Sequence, residues 1–372
     1  KDAVFIYPQR FINEEGTYIK ETLRFDVDGD GIEDETAIEG RFLTNSELTF
    51  TNEKPYVIYG YAAIGDAQTL HIEPGARIHF HSKSGLLVAT GGSINAQGAL
   101  STDSEIMEGE IIFEGDRLEP GFADVPGQWE TIWLFNGSIN NVFNHVTIKN
   151  STVGILCEGN QEDFSKLNIT NTQIYNSSNF GILGRATSIN GENLVINSSG
   201  QSSFAGTYGG RYNFVHSTIT NYWNKSFRQF PAILLNNYII NQDNSVQLNA
   251  LETANFTNTI IFGNENPEIL LDKNNDAAFN FKFTNCLIKF SDPNNNFNTE
   301  EYDFDNTNYY ENIIVNEDPE FLDPFQNKLQ IPNTSPSDGT GIISGNLFLD
   351  ILGTARSNPP DLGAYESVIF DN

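Results

Sequence analysis

A short pattern of apolar and polar positions recurs along the middle of the chain. A large apolar residue is followed two positions later by asparagine or histidine, and three positions after that by isoleucine. The five copies are Phe143-x-His145-x-x-Ile148, Ile169-x-Asn171-x-x-Ile174, Phe214-x-His216-x-x-Ile219, Phe256-x-Asn258-x-x-Ile261 and Phe283-x-Asn285-x-x-Ile288. The isoleucines lie 26, 45, 42 and 27 residues apart, and Ile196 divides the interval of 45 into 22 and 23. A period of this size, lengthened by insertions, predicts a solenoid.

The segments within each repeat favour strands over helices. They alternate Ile, Val, Phe and Thr between glycine and asparagine, and no long run has helical spacing. A short apolar strand buries its face only by stacking on the next repeat. We therefore predict an all-β chain that forms a parallel β-helix solenoid. A leucine-rich repeat has a similar period, but its Leu-x-x-Leu-x-Leu pattern is absent here.

The asparagine position of the repeat has two interpretations. Asn171, Asn258 and Asn285 can stack their amides into a hydrogen-bonded ladder, and they could instead bind a ligand. We favour the ladder because buried amides need partners. His145 and His216 fall at the same position, and we expect them to replace asparagine there.

The ends of the chain differ from the repeats. Residues 1–52 contain three apolar segments that look like strands, and we predict a small N-terminal β cap or β-sandwich remnant there, because a solenoid needs a cap over its exposed strand edges. Residues 53–366 are predicted to form the β-helix with loop insertions, and 367–372 a C-terminal tail. The segment 292–312, rich in Asn, Asp and Tyr, is predicted to be a surface excursion.

The charge of the chain argues against two classes of partner. The chain has 20 Lys and Arg against 49 Asp and Glu, a net charge of −29, which argues against nucleic acid and against an anionic membrane surface. Cations are favoured, although the charge can also serve solubility alone. No apolar run is long enough to span a bilayer. Cys157 and Cys286 fall several coils apart, too far for a disulfide, and are predicted to be buried free thiols.

The most specific metal-like motif is Asp26-Val-Asp28-Gly-Asp30-Gly31-Ile-Glu-Asp34. Alternate aspartates in a tight loop can direct several carboxylates at one hard cation, and Gly31 permits a sharp reversal. The spacing is similar to the calcium loops of thrombospondin type 3 repeats, which occur in tandem, and it lacks the final glutamate and flanking helices of an EF-hand. We predict that Asp26, Asp28, Asp30 and Asp34 hold a structural Ca²⁺. The alternative is a glycine-rich hairpin turn that carries solvated acids.

Basic and aromatic side chains are interleaved between Tyr208 and Arg228. Aromatic faces beside Lys and Arg donors suit a glycan, and loops on one face of a solenoid are common binding elements. The candidate binding residues are Tyr208, Arg211, Tyr222, Trp223, Lys225 and Arg228. The alternative is a loop that packs on its own coil through these aromatic residues.

The closing residues resemble the C-terminal signature of many bacterial surface β-helix proteins. The matching positions are Ser335-Pro336, Asp338-Gly339, Gly353, Arg356 and Asp361-Leu-Gly363-Ala-Tyr-Glu366. Segments such as Gly85-Leu-Leu-Val88, Pro126-Gly-Gln-Trp129, Gly191-Glu-Asn193 and Asn221-Tyr-Trp223 are similar to a family of Bacteroidetes cell-surface lipoproteins with right-handed parallel β-helix repeats, of the pectin-lyase-like superfold. The resemblance covers roughly residues 50–366.

This resemblance implies a right-handed helix, a lipid anchor upstream of Lys1 and a place on the outer membrane at the cell surface. It transfers no catalytic residue. Our first hypothesis is a non-catalytic surface lipoprotein that recognises a glycan or belongs to an outer-membrane protein complex. The alternative is a polysaccharide lyase or glycoside hydrolase acting on acidic glycans, since β-helices support both. A lyase needs a base beside a cation that neutralises the uronate, and Arg211, His216 and Lys225 are the candidate set.

Overall fold

The computed structural model describes residues 2–103, 105–162, 166–345 and 347–370. Within these ranges the chain is all-β, and the main sheet consists almost entirely of parallel strand pairs. The last two residues of the predicted tail lie outside the described ranges. No helix in the described ranges has the length and apolar character needed to cross a membrane.

The parallel strands form three stacks, and the chain visits them in the repeating order A, B, C. Stack A contains Val4–Ile6, Tyr56–Ile58, Arg77–Phe80, Ile111–Gly115 and Thr218–Asn221. Stack B contains the end of Asp34–Phe42, then Tyr61–Ile64, Gly85–Val88, Ile132–Leu134, Ile155–Glu158, Ile233–Asn236 and Ile269–Asp272. Stack C contains Thr49–Phe50, Thr69–Ile72 and Ser93–Gln97. One passage through A, B and C is called a coil below.

Longer strands bend from one stack into the next. Those that join stack C to stack A are Asn141–Lys149, Leu167–Ser177, Leu251–Gly263, Lys282–Ile288 and Tyr310–Val315. Phe204–Val215 joins stacks B and C, and Ile182–Ser199 runs through all three. Outside the stacks lie the strands Arg10–Ile12, Tyr18–Lys20, Thr22–Phe25, Tyr238–Ile240 and Val246–Leu248, and the short 3₁₀ helices Asn45–Glu47, Pro120–Phe122, Glu300–Tyr302 and Pro324–Gln326.

The recurring isoleucines form one column inside stack A. Parallel pairing places Ile148 on Ile174, Ile174 on Ile196, Ile196 on Ile219, Ile219 on Ile261 and Ile261 on Ile288. All six side chains have no solvent exposure. The parallel strands and the inward column predicted from the spacing are therefore confirmed.

The Asn and His position of the repeat marks the bend between stacks C and A. The residues there have left-handed backbones, with φ of 48° at His145, 45° at Asn171, 49° at Asn193, 48° at His216, 52° at Asn258, 50° at Asn285 and 53° at Asn312. Asn and His tolerate this conformation better than most residues. The side chains at this position also form part of the predicted ladder, since Asn193 donates to Asn171 at 2.9 Å and Asn258 donates to His216 at 2.8 Å.

The two ends of the stacks are built differently. Val4–Ile6, the end of Asp34–Phe42 and Thr49–Phe50 pair in parallel with strands of the next coil, so part of residues 1–52 joins the three stacks. At the other end, Phe297, Tyr302 and Phe304 pack against the main core. Most residues of the segment 292–312 are exposed, in agreement with the predicted surface excursion, while these aromatic side chains cover the core beside the last coil.

The C-terminal segment packs along the outer side of stack A. Leu329, Ile351 and Tyr365 cluster with Val195, and Ile331 and Leu362 cluster with Ile260 and Leu287. Several residues of the family-like signature hold this segment in place: Arg356 pairs with Glu366 at 2.9 Å and donates to Asn193 at 2.7 Å. Cys157 and Cys286 are buried free thiols, as predicted.

Candidate functional site

An insertion separates stack A from stack B in the first coil. It comprises residues 7–39, called the N-terminal insertion, and it contains two antiparallel hairpins. Leu23 and Phe25 of the second hairpin pack on Ala63, Leu87 and Phe135, the outer side of stack B. This apolar contact anchors the insertion against the coils.

A cleft of about 1100 Å³ lies between the N-terminal insertion and the turns that join stacks A and B in the following coils. One wall is formed by residues of the insertion, including Arg10, Lys20 and Glu39. The other wall is formed by the turns around Tyr59 and His81. This region is called the N-terminal cleft, and it is large enough for a small oligosaccharide.

Aromatic side chains from successive coils line the N-terminal cleft. Parallel pairing places Ile6, Ile58 and Phe80 in one row. The residues that directly follow them in the sequence are Tyr7, Tyr59 and His81. The row continues because the backbone N–H of Tyr59 donates to Ile6 and that of His81 donates to Ile58. Neighbouring members therefore lie about one strand spacing, roughly 4.8 Å, apart. We call Tyr7, Tyr59 and His81 the aromatic column.

The aromatic column is open to solvent. Tyr7 is 60 % exposed and Tyr59 is 36 % exposed. The rings of Tyr59 and His81 are in contact, with centroids 4.8 Å apart. Tyr61 closes the floor of the cleft, and burial together with the charge of Glu130 raises the pKa of its hydroxyl, so Tyr61 remains a neutral hydrogen-bonding group.

The charged groups of the cleft are partly paired. Lys20 contacts Glu39 at 2.5 Å, and the His81 Nδ1 atom lies 2.8 Å from Asp116. The contact with Asp116 uses one ring nitrogen of His81 and fixes the orientation of the ring, so Nε2 remains for other partners. The side chains of Arg10 and Lys83 have no hydrogen-bond or ion-pair partner among the described residues. The cleft thus offers aromatic faces, hydroxyls and cationic donors to one ligand.

The acidic loop brings together three of its four predicted ligands. One carboxylate oxygen each from Asp26, Asp28 and Asp34 lies within 4.8 Å of the others, and Asp30 is not part of this group. Asp30 instead accepts a hydrogen bond from the Ile32 N–H at 2.8 Å. Such a carboxylate set fits a hard cation like Ca²⁺. The same carboxylates also cap backbone N–H groups, since Asp26 accepts from Gly29 and Gly31.

The structure does not bring the predicted lyase set together. Arg211 contacts Glu162 at 3.3 Å, whereas His216 is 1 % exposed and lies against Asn258, with its Nε2 2.8 Å from the amide nitrogen. Lys225 is exposed in the loop after Thr218–Asn221. Each of the three residues has different surroundings, so the prediction of a shared catalytic set is wrong. The buried His216 has no access to a polymer substrate.

The other predicted binding residues are mostly packed against the protein. Trp223 is buried and donates to Ser226 at 3.1 Å, and the ring of Tyr222 meets Phe321 and Phe325. Arg228 is buried in an ion pair with Glu268. Tyr208 is partly buried, and its backbone bonds Asn236 and Asn249. The alternative of a loop packed on its own coil describes this region, and Lys225 alone of the six is fully exposed.

Comparison with models of known protein families and with curated proteins gave no match. The assignment of a function therefore depends on the geometry of the chain itself. The N-terminal cleft is the described region in which exposed aromatic and charged side chains converge.

Proposed function

We propose that this chain is a non-catalytic recognition protein, built on a right-handed parallel β-helix, that binds a glycan in the N-terminal cleft. The β-helix is supported by three parallel stacks, and in stack A the paired isoleucines lie 22 to 42 residues apart in sequence. Attachment at the cell surface of the outer membrane through a lipid anchor is part of this proposal, and it is supported by the family resemblance of the C-terminal signature.

The aromatic column is the observation that carries the proposal. Sugars present apolar C–H faces beside hydroxyl groups, and exposed tyrosines offer a ring face together with a polar tip. Tyr7 and Tyr59 are repeated at the spacing of the coils, so a chain of sugars that lies along the solenoid axis meets one ring after another. A glycan therefore suits this cleft better than a protein subunit of an outer-membrane complex does.

Recognition is also favoured over catalysis by the positions of the predicted catalytic residues. Arg211, His216 and Lys225 have separate environments, which removes the set on which the lyase alternative rested. A hydrolase needs two carboxyl groups across the scissile bond. Of the two acids that line the cleft, Glu39 is paired with Lys20, which leaves Glu130 as the lining carboxylate without an ion pair among the described residues.

Glycan binding should depend on Tyr59. We expect Tyr59→Ala to weaken binding about tenfold, which corresponds to ~1.4 kcal/mol, because the ring is a central contact surface of the cleft. The ligand would first be found on an oligosaccharide array and its affinity then measured by calorimetry. Tyr18→Ala is the matched control, since Tyr18 is 75 % exposed on the N-terminal hairpin but does not line the cleft. Equal affinities for Tyr59→Ala and wild type would contradict the proposal.

Calcium at the acidic loop stays a prediction with a direct test. If Ca²⁺ binds only the folded protein, a concentration one hundred times the dissociation constant should add about 2.7 kcal/mol of stability. Thermal unfolding with and without Ca²⁺ measures this effect, and Asp26→Asn should abolish it. Asp243→Asn is the control, because Asp243 also caps a tight turn, at Ser245, but belongs to no carboxylate group. An unchanged melting temperature would remove the ligand role of Asp26, Asp28 and Asp34.

A further inference from the structure

We propose that the N-terminal cleft selects an acidic glycan, and that Arg10 and Lys83 on its two walls bind the carboxylate or sulfate groups of that glycan. This inference rests on the proposed glycan-binding function and specifies its ligand. The shared chemistry of the ligand is a sugar chain with regularly placed oxyanions.

Arg10 is unusual among the arginines of this chain. There are nine arginines, and eight of them make hydrogen bonds or ion pairs within the protein. The side chain of Arg10 makes none with the described residues, although acidic residues outnumber basic ones by 49 to 20. An unpaired guanidinium in a strongly acidic protein is a ready partner for an external oxyanion, because its fork of N–H donors matches carboxylate and sulfate groups.

The strand pairing places a second cation beside Arg10. In the first hairpin of the N-terminal insertion, Arg10 lies directly opposite Lys20. Like charges at directly opposite positions destabilise a strand pair. Glu39 offsets the charge of Lys20 at 2.5 Å, whereas the charge of Arg10 has no such compensation. An anion bound between the hairpin and the coils would compensate the charge of Arg10.

The opposite wall of the cleft also carries a cation, Lys83. Lys83 is exposed in the turn after His81, and its backbone is left-handed with a φ of 61°. The position is strained for a lysine, since glycine or asparagine would adopt it more readily. The ammonium of Lys83 has no hydrogen-bond or ion-pair partner among the described residues.

The lining of the cleft carries more cations than acids, because it includes Arg10, Lys20 and Lys83. The lining contains two acidic residues, Glu39 and Glu130. Glu39 is committed to Lys20, and Glu130 lies beside the buried hydroxyl of Tyr61 on the floor. Arg10 comes from the N-terminal insertion and Lys83 from the turn after His81, so both segments that line the cleft supply a cation. A sugar stacked on Tyr59 would have cations within reach of substituents at either edge of its ring.

The test compares acidic and neutral glycans that share a backbone. The probes are a galacturonate hexasaccharide with its methyl ester, and a sulfated galactan hexasaccharide with its unsulfated form. We expect one acidic probe to bind at least tenfold more tightly than its neutral counterpart. The pair that shows this difference identifies the oxyanion as carboxylate or sulfate.

Charge-neutral variants locate the effect. Arg10→Gln and Lys83→Gln should each weaken the acidic probe severalfold and leave the neutral probe unchanged. Lys225→Gln, at an exposed position outside the cleft, is the control and should change neither affinity. Circular dichroism and melting temperature would confirm that all three variants fold, which is expected because these side chains are exposed.

Failure of this inference and failure of the proposed function are distinguishable. Equal binding of acidic and neutral probes, with Tyr59→Ala weakening both, would overturn the charge selection and leave glycan recognition in place. Binding of no probe and of no array glycan would overturn both proposals. A loss of acidic binding in Lys225→Gln equal to that in Arg10→Gln would also overturn the assignment to the cleft.

Discussion

Replacing Arg228 with alanine is expected to lower the free energy of unfolding by about 3–5 kcal/mol. The guanidinium holds both oxygens of Glu268, at 2.6 and 2.9 Å, and the two side chains are 1 % and 0 % exposed. Alanine would leave the Glu268 carboxylate buried without its counter-ion. The backbone N–H groups of Ala232 and Glu265 also donate to this carboxylate, so the pair fixes the loop that leads into Ile233–Asn236.

Urea unfolding of Arg228→Ala measures this effect. Arg185→Ala is the matched control, because Arg185 forms an ion pair with Glu158 while its side chain is 53 % exposed. We expect the control to change stability by no more than about 1 kcal/mol, as for other surface ion pairs. If Arg228→Ala lowered the free energy of unfolding no more than Arg185→Ala does, the buried ion pair would not stabilise the fold. Arg228 would then be available as a ligand-binding residue, as the sequence predicted.

Replacing His216 with asparagine is expected to remove a pH-dependent loss of stability. Burial, reinforced by the positive charge of Arg356, lowers the pKa of His216 to about 3. The amide of Asn258 donates to Nε2, which requires the neutral ring. An imidazole in an unfolded chain has a pKa of about 6.5. As the pH falls from 6.5 towards 3, the unfolded state therefore binds a proton that the folded state does not, and stability falls.

The size of the expected loss of stability follows from the lowered pKa of His216. At pH 4 the loss reaches up to about 3 kcal/mol, at ~1.4 kcal/mol for each pH unit below 6.5. Asparagine occupies the same bend in other coils, so His216→Asn should preserve the backbone while removing the titrating group. The stability of the variant relative to wild type should thus rise between pH 7.5 and pH 4. A difference that is the same at both pH values would contradict the buried, neutral state of His216.

The stacked coils could be predicted from sequence because they depend on local repetition. Ile148, Ile174 and Ile196 recur at the length of one coil, and stacking is the only way for each to be buried. The role of Asn171 was predicted only in part. The sequence indicated an amide ladder, whereas the structure adds a left-handed bend that explains why Asn and His share this position.

The candidate site could not be predicted in the same way. Trp223 and Arg228 resembled ligand-binding residues in sequence, but their burial depends on partners such as Glu268, forty residues away. The N-terminal cleft depends on an insertion that folds back over the turns of later coils. A signal was present, because Tyr7, Tyr59 and His81 each follow a stack A strand, but it becomes visible only when the register of those strands is known.

The most direct test of the account is disulfide formation between adjacent coils. Parallel pairing places Thr170 opposite Glu192, and Cα atoms about 4.8 Å apart lie within the range of a disulfide. The Thr170→Cys and Glu192→Cys double variant should therefore oxidise to an intramolecular disulfide, detected by peptide mass spectrometry. A Thr170→Cys and Asn190→Cys variant, displaced by two residues along the strand to roughly 8 Å, should not. Cross-linking of the displaced pair alone, or of neither pair, would contradict the stacked register on which the cleft and its aromatic column depend.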